Sequence, residues 1–256
     1  VSFSDDSLAK SVASAAGKLL NSTRASAIDA ALLGRSADLA SHFLIASILR
    51  CHRPDDPIRS EESVDSFDGS PRAWIVDPLD GTREFSDRFR TRTDWAVHVA
   101  LVVHGAPAAS VVAIPGLQRV YTSEAPAPVP QPRGRLRIAV SRSRPPAFAK
   151  AVAQILDGEL HPMGSAGAKT AAILEGHVDA YLHDGGQYEW DSCAPVGVAL
   201  AHGLHASRID GSPCIYNRAD PAMPDLVICR TELAGAILDA IASARKTVPA
   251  PQAMPA

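Results

Sequence analysis

The chain has 256 residues, 46% hydrophobic and 21% charged, with a formal net charge of −3 and a mean hydropathy near zero. That length buries a sizeable core and suits two packed domains. No apolar run reads as long enough to cross a bilayer, and the weak negative charge offers no broad attraction for a nucleic-acid polymer.

Cys51, Cys193, Cys214 and Cys229 are scattered without a CxxC pair, which predicts reduced thiols rather than disulfides or a zinc site. Residues Val1 to Asp6 lack the basic start and apolar core of a secretory signal, so a cytoplasmic protein is expected.

Leu8, Val12, Ala15 and Leu19 recur at helical spacing behind Ser4 as a cap, predicting a first helix from Asp5 to Leu20. A second is predicted from Ser36, with Leu39, Phe43, Ala46 and Leu49 as its stripe and Asp38 in its first turn, complementing the dipole. Segment 51–60 carries two prolines and reads as irregular, delivering the chain to Glu61-Glu62. Next, Trp74-Ile75-Val76-Asp77-Pro78-Leu79-Asp80-Gly81-Thr82 is an apolar strand running into acids and turn residues. Strands at 94–103, 108–114 and near 118–122 complete an antiparallel meander. Alternating prolines at 125–132 cannot continue regular structure and read as a stiff connector. Beyond it the rhythm alternates: strand 135–141, helix 146–157, strand near 160, helix 167–175, strand 178–183, helix 192–202, strands 205–209 and 225–229, and helix 232–244. The tail after Val248 is expected to fray. The fold class is α/β: an α+β half at 1–124, a connector at 125–134 and an α/β half at 135–256.

Glu61, Glu62, Asp77 and Asp80 lie close in sequence, and Trp190-Asp191 opens a later helix. Carboxylates that meet in a fold repel one another and call for cations between them. Hard oxygen donors suit Mg²⁺, which takes substrate phosphate oxygens as further ligands. Gly81 permits close backbone approach, and Thr82 opens a helix whose free N–H groups suit a phosphate. Taken singly, Asp-Pro and Asp-Gly are turns, Glu-Glu is a solvated loop and Asp before a helix is a cap; together they specify a metal–phosphate site. Trp74 and Trp95 read as core residues, with Trp190 packing beside Asp191. His98, His104, His161, His177, His183, His202 and His205 suit no metal triad and read as structural or solvated. Arg83 is near enough to Thr82 to reach a phosphate.

Glu61-Glu62, Asp77-Pro78-Leu79-Asp80-Gly81-Thr82 and Trp190-Asp191 together resemble the signature of the lithium-sensitive, Mg²⁺-dependent phosphomonoesterases of the inositol monophosphatase superfamily. That resemblance implies a layered αβαβα sandwich with the site between its halves. It implies that Glu61, Asp77 and the Leu79 carbonyl hold one Mg²⁺, that Asp77, Asp80 and Asp191 hold a second, and that Glu62 assists a further one. Glu61 and the Thr82 hydroxyl would orient the attacking water, Asp38 would position Thr82, and Gly81 and Thr82 would bind the phosphate.

Val140-Ser141-Arg142-Ser143, Gly164-Ser165-Ala166-Gly167-Ala168-Lys169 and the loop before Trp190 are most similar to the CysQ-type 3′-phosphoadenosine 5′-phosphate phosphatases. By that likeness the expected reaction releases phosphate from 3′-phosphoadenosine 5′-phosphate, or its sulfate, leaving AMP or adenosine 5′-phosphosulfate, within sulfate metabolism. Ser141, Arg142, Gly164, Ser165 and Lys169 would contact substrate. Two departures, a lengthened Gly-Ser…Lys spacing and His183-Asp184 where arginine is common, leave inositol phosphate or fructose 1,6-bisphosphate open as substrates. Leu32–Asp38 also departs from the usual approach to the upstream acid. A phosphate-metabolite sensor is the non-enzyme alternative, although it would be expected to have lost one of these groups. Many members are dimers, so a homodimer is the assembly the resemblance suggests.

Overall fold

The computed structural model describes residues 3–26, 30–63, 68–87, 89, 91–132 and 134–247; the 248–256 tail lies outside them. In chain order the elements are α1 (Asp5–Ala25), α2 (Ala30–His52), β1 (Ile58–Ser60), β2 (Arg72–Asp80), α3 (Thr82–Phe85), β3 (Ala96–Val103), β4 (Ala106–Ile114), β5 (Arg119–Thr122), β6 (Arg137–Ser141), α4 (Ala149–Ile155), β7 (Glu159–Met163), α5 (Ala166–Leu174), β8 (Ala180–Tyr188), α6 (Glu189–Ala201), β9 (Leu204–Ser207), β10 (Ala222–Arg230) and α7 (Ala234–Thr247). One sheet has the order β1-β2-β3-β4-β5 and the other β7-β6-β8-β10-β9.

Strand side chains alternate between faces, and that alternation sorts the apolar residues into layers. Val97, Val99 and Leu101 of β3 pack with Leu8, Val12 and Leu20 of α1 and Ile45 and Leu49 of α2. Their neighbours Ala96, Ala100 and Val102 face the other way, into a core shared with α5, α6 and Leu226 and Ile228 of β10. On the far side of the second sheet, Val227 and Cys229 pack with Val152 of α4 and Ile237 and Ile241 of α7. The result is the expected αβαβα sandwich, its first sheet lying before residues 125–132 and its second after them.

Ser4 caps α1 by accepting the Ser7 N–H at 3.2 Å, and Trp74 and Trp95 are fully buried, both as expected. Three elements differ from the sequence reading. Helix α2 begins at Ala30 rather than Ser36, because Leu33 and Ala37 extend its buried stripe. Gly34 does not break it; a Cβ there would lie 2.7 Å from Thr82 Cγ2, so glycine lets α2 approach α3. Asp38 consequently sits inside the helix, not in its first turn. Segment 51–60 is not wholly irregular, since β1 pairs in parallel with β2, Ile58 beside Trp74 and Ser60 beside Val76. Strand β8 runs past 183 to Tyr188, and α6 follows at once.

One segment, Leu32–His52, is long and apolar enough by composition to cross a membrane, with a hydropathy of 1.2. That corrects the expectation that no run qualifies. Half of it is buried against the rest of the fold, and it carries the buried polar groups Asp38, Ser41 and His42, the pattern of a core helix. All four cysteines are free, and only Cys51 is exposed.

The layers depend on close approach at Gly197 of α6, where a Cβ would lie 2.1 Å from Ser110 Oγ and 2.8 Å from Pro107 Cβ of β4. Gly197→Ala should therefore cost about 1–3 kcal/mol through overpacking. Thermal melting is the check; an unchanged Tm would show that α6 and β4 need no such contact.

Candidate active site

The acids converge because of how β2 is paired on its two sides. Against β3, Asp77 lies opposite His98 and Asp80 opposite Ala96, so β2 carries one extra residue at Pro78-Leu79. Residues three apart in a regular strand point to opposite faces, and a one-residue bulge brings them to the same side. Proline suits the bulge, having no N–H to offer the ladder. On the other side β1 runs parallel, so Glu61-Glu62 emerges at the edge where Asp77 and Asp80 end. The acidic pair is held there: Ser60 Oγ accepts the Glu62 N–H at 3.3 Å and contacts His42 Nδ1 at 3.0 Å.

Asp191 arrives from the second half in the first turn of α6, its Oδ2 accepting the Tyr188 N–H at 2.7 Å. Carboxylate oxygens of Asp77, Asp80 and Asp191 lie within 4.8 Å of one another. Asp80 Oδ2 accepts from the Ser165 hydroxyl at 2.6 Å and the Gly167 N–H at 3.1 Å, and His98 Nε2 lies 3.3 Å from it. Between the elements that carry Glu61 and Asp191 is a buried ion pair, Arg59 Nη1 to Glu189 Oε2 at 3.2 Å. Glu189 also accepts the Arg218 N–H at 2.9 Å.

Burial and the charge of their neighbours push Asp38, Glu61, Asp77 and Asp191 toward the protonated form. Burial holds Asp77 well above the carboxylate range, with Asp80 and Asp191 adding to it. Burial and then Asp80 push Asp191 up to about 7; burial, Glu62 and Asp80 raise Glu61. Asp38, pushed to about 8 by burial and then Glu61 and Glu62, has an Oδ1 with no hydrogen-bond partner. The Thr82 hydroxyl donates to the Leu79 carbonyl at 3.1 Å. An all-oxygen donor set that resists ionising in the bare protein fits a hard divalent cation.

Glu61, Asp77, Leu79, Asp80, Gly81, Thr82, Asp191, Ser141, Arg142, Gly164, Ser165 and Lys169 all line one cleft of about 280 Å³; Asp38 is buried and is not among its lining residues. Gly81 has φ +89°, and a Cβ there would meet the Asp94 carbonyl and Trp95 Cα at 3.2 Å and Ser165 Cβ at 3.3 Å, so glycine is required where the halves touch. Several residues expected on substrate are engaged within the protein. Arg142 binds Glu84 and Asp94, each at 2.6 Å, and the Gly164 N–H donates to Asp94 at 2.8 Å. Ser165 caps α5, accepting the Ala168 N–H at 3.0 Å. Lys169 is buried; its Nζ donates to the carbonyls of Gly164 and Ser165 and stands 4.7 Å from the Tyr181 ring centroid. Burial lowers its pKa to about 8, against the pull of Asp80 and Glu84.

Sequence reasoning missed Glu84, Arg144, Tyr181 and Gln187 of this cleft, because no motif marks them. It also took His183 as structural or solvated, whereas it is buried and lines the cleft. His183 Nε2 meets the Gly185 carbonyl at 2.7 Å, while its Nδ1 and Gln187 Oε1 have no partner. The overlooked signal is Gly185-Gly186, both at positive φ, which bends β8 as it lines the site.

A model of the inositol monophosphatase family matches residues 6–248. A protein of Mycobacterium bovis named 3′-phosphoadenosine 5′-phosphate phosphatase is 48% identical over 242 residues, 90% of each chain. The Escherichia coli protein named 3′(2′),5′-bisphosphate nucleotidase CysQ is 33% identical over 71% of this chain and 78% of its own. Among solved structures, CysQ of Bacteroides thetaiotaomicron superposes with a TM-score of 0.75 at 24% identity, covering 87% of this chain and 96% of that one; that likeness speaks for the fold.

Carboxyls whose pKa is raised by folding bind protons more tightly in the folded chain than in the unfolded one. They therefore contribute stability to the metal-free protein that is lost as pH rises from about 4 to about 8, the window between the ordinary carboxylate range and the values of Asp191 and Asp38; the lowered pKa values of His42, His98, His183 and His205 act in the opposite direction below about 6.5. Melting in chelator should therefore show a Tm that falls as pH rises from about 6.5 to about 8, less steeply in Asp38→Asn and in added Mg²⁺. The same pH dependence in wild type and Asp38→Asn over that range would contradict the electrostatic reading.

Proposed function

The chain belongs to the inositol monophosphatase family and is a phosphomonoester hydrolase, and on that basis we propose that it removes the 3′-phosphate of 3′-phosphoadenosine 5′-phosphate to leave AMP. The carrying observation is the meeting of Asp77, Asp80 and Asp191, from both halves of the chain, within 4.8 Å on a polar cleft. The activity for which the Mycobacterium bovis relative is named supports the nucleotide substrate.

In this reading Glu61, Asp77 and the Leu79 carbonyl, with Asp80 and Asp191, would hold Mg²⁺. When bound, such cations acidify a water and neutralise phosphoryl oxygens as they transfer. The protein's own contribution is orientation and proton handling. Glu61, on the wall of the cleft beside Asp77 and Asp80, is placed to accept a proton from the attacking water. The Thr82 hydroxyl, held on the Leu79 carbonyl, and the amides of Gly81 and Thr82 would direct the water and the phosphate. Asp38 stands behind them to receive a hydrogen bond on its unpartnered oxygen. Ser165 and Gly167 fix one oxygen of Asp80, which orients the other. The free thiols agree with action in a reducing cytoplasm.

The test is phosphate release from 3′-phosphoadenosine 5′-phosphate, inositol 1-phosphate and fructose 1,6-bisphosphate, with Mg²⁺ and with added Li⁺. The nucleotide should give the highest kcat/KM, and Li⁺ should inhibit. Asp80→Asn and Asp191→Asn should each lower kcat at least roughly 100-fold. Preference for either sugar phosphate would overturn the substrate, and near wild-type turnover of either variant would overturn the metal assignment.

A further inference from the structure

A nucleoside 3′,5′-bisphosphate carries two phosphates, and the carboxylate cluster accounts for only the one that is cleaved. The other needs a cation elsewhere in the cleft. Among the described residues the cleft is lined by Arg83, Arg142, Arg144 and Lys169. Arg142 is neutralised by Glu84 and Asp94, and Lys169 is buried on two backbone carbonyls. Arg83 directly follows Thr82, at the end where cleavage is placed. Arg144 remains.

Resting on the bisphosphate reading above, we infer that Arg144 binds the phosphate that is not cleaved and so sets the preference for bisphosphates over monophosphates. Arg144 is exposed, on the loop that follows β6, its own N–H anchored on Ser141 Oγ at 3.2 Å. Its guanidinium forms no ion pair and no side-chain hydrogen bond with the described residues. It lies against Gly186, where a Cβ would come within 2.8 Å of Nη1. Gly186, at φ +72°, therefore does more than help Gly185 turn β8: its bare backbone leaves the guanidinium its place at the cleft edge. Tyr181, His183 and Gln187 line the same cleft, and His183 Nδ1 and Gln187 Oε1 are buried acceptors without donors. That wall is polar, in keeping with a ribose between the two phosphates. A planar guanidinium free of carboxylates is the group best suited to bidentate phosphate binding.

The experiment compares 3′-phosphoadenosine 5′-phosphate with adenosine 3′-monophosphate, which has the same scissile ester and no second phosphate. Wild-type enzyme should prefer the bisphosphate; absence of that preference would overturn the bisphosphate reading itself. Arg144→Gln should lower kcat/KM for the bisphosphate about 10- to 100-fold, carried by KM, and by at least tenfold more than for the monophosphate. Arg144→Lys should restore part of the preference, and Arg83→Gln should leave the ratio in place. An equal loss on both substrates, an unchanged ratio in Arg144→Gln, or collapse of the ratio in Arg83→Gln alone would each overturn the assignment to Arg144. Melting temperatures of the variants separate these outcomes from misfolding.

Discussion

Like charges cannot be crowded into a buried place without something to hold them, and that constraint shapes this molecule. Three aspartates meet within 4.8 Å, with Glu61 adding to the field at Asp77 and Asp191. The surrounding structure gathers them by geometry, and in the bare protein protonation relieves part of their repulsion. A bulge turns Asp80 to the side of Asp77, a parallel edge strand delivers the glutamates, and the start of α6 delivers Asp191. Hydrogen bonds from Ser165, Gly167 and Tyr188 then fix individual oxygens. A rigid set of oxygen donors whose protons a cation can displace is what a hard divalent metal requires.

The two walls of the cleft are built on different principles. On the acidic wall, charge is concentrated and left open. On the facing wall, positive charge is mostly consumed within the protein: Arg142 ties the second half to Glu84 and Asp94 of the first, and Lys169 braces the Gly164-Ser165 turn that supports Asp80. Arg142 thus fastens the halves together and Lys169 braces the second, which leaves recognition to the loop after β6 and the bent end of β8.

The layered fold was legible because long strands such as 96–103 and helices such as α1 carry their period openly. The acids were legible for a related reason: Asp77 and Asp80 end a buried strand, where free-standing carboxylates have no structural use. What stayed hidden was short or non-local. Strand β1 has only three residues and shows no periodicity, yet its parallel direction brings Glu61 beside Asp77. The engagement of Arg142 and the burial of Lys169 depend on partners far away in the chain, which no local pattern reports. The start of α2 was misjudged because Gly34 and Ser36 look like helix boundaries until the packing of Gly34 on Thr82 is seen.

The buried pair Arg59–Glu189 joins residues 130 positions apart and stands next to the acids on both sides of the site. The β3–β4 hairpin closes between Val103 and Ala106, whereas this contact needs both sheets to have formed and packed together, and its loop entropy must be met before it contributes anything. The site is therefore complete only where both sheets are formed and packed together. A chain with near-complete secondary structure can still be unable to gather its carboxylates, so recovery of metal binding during refolding would report the docking of the halves rather than the formation of either.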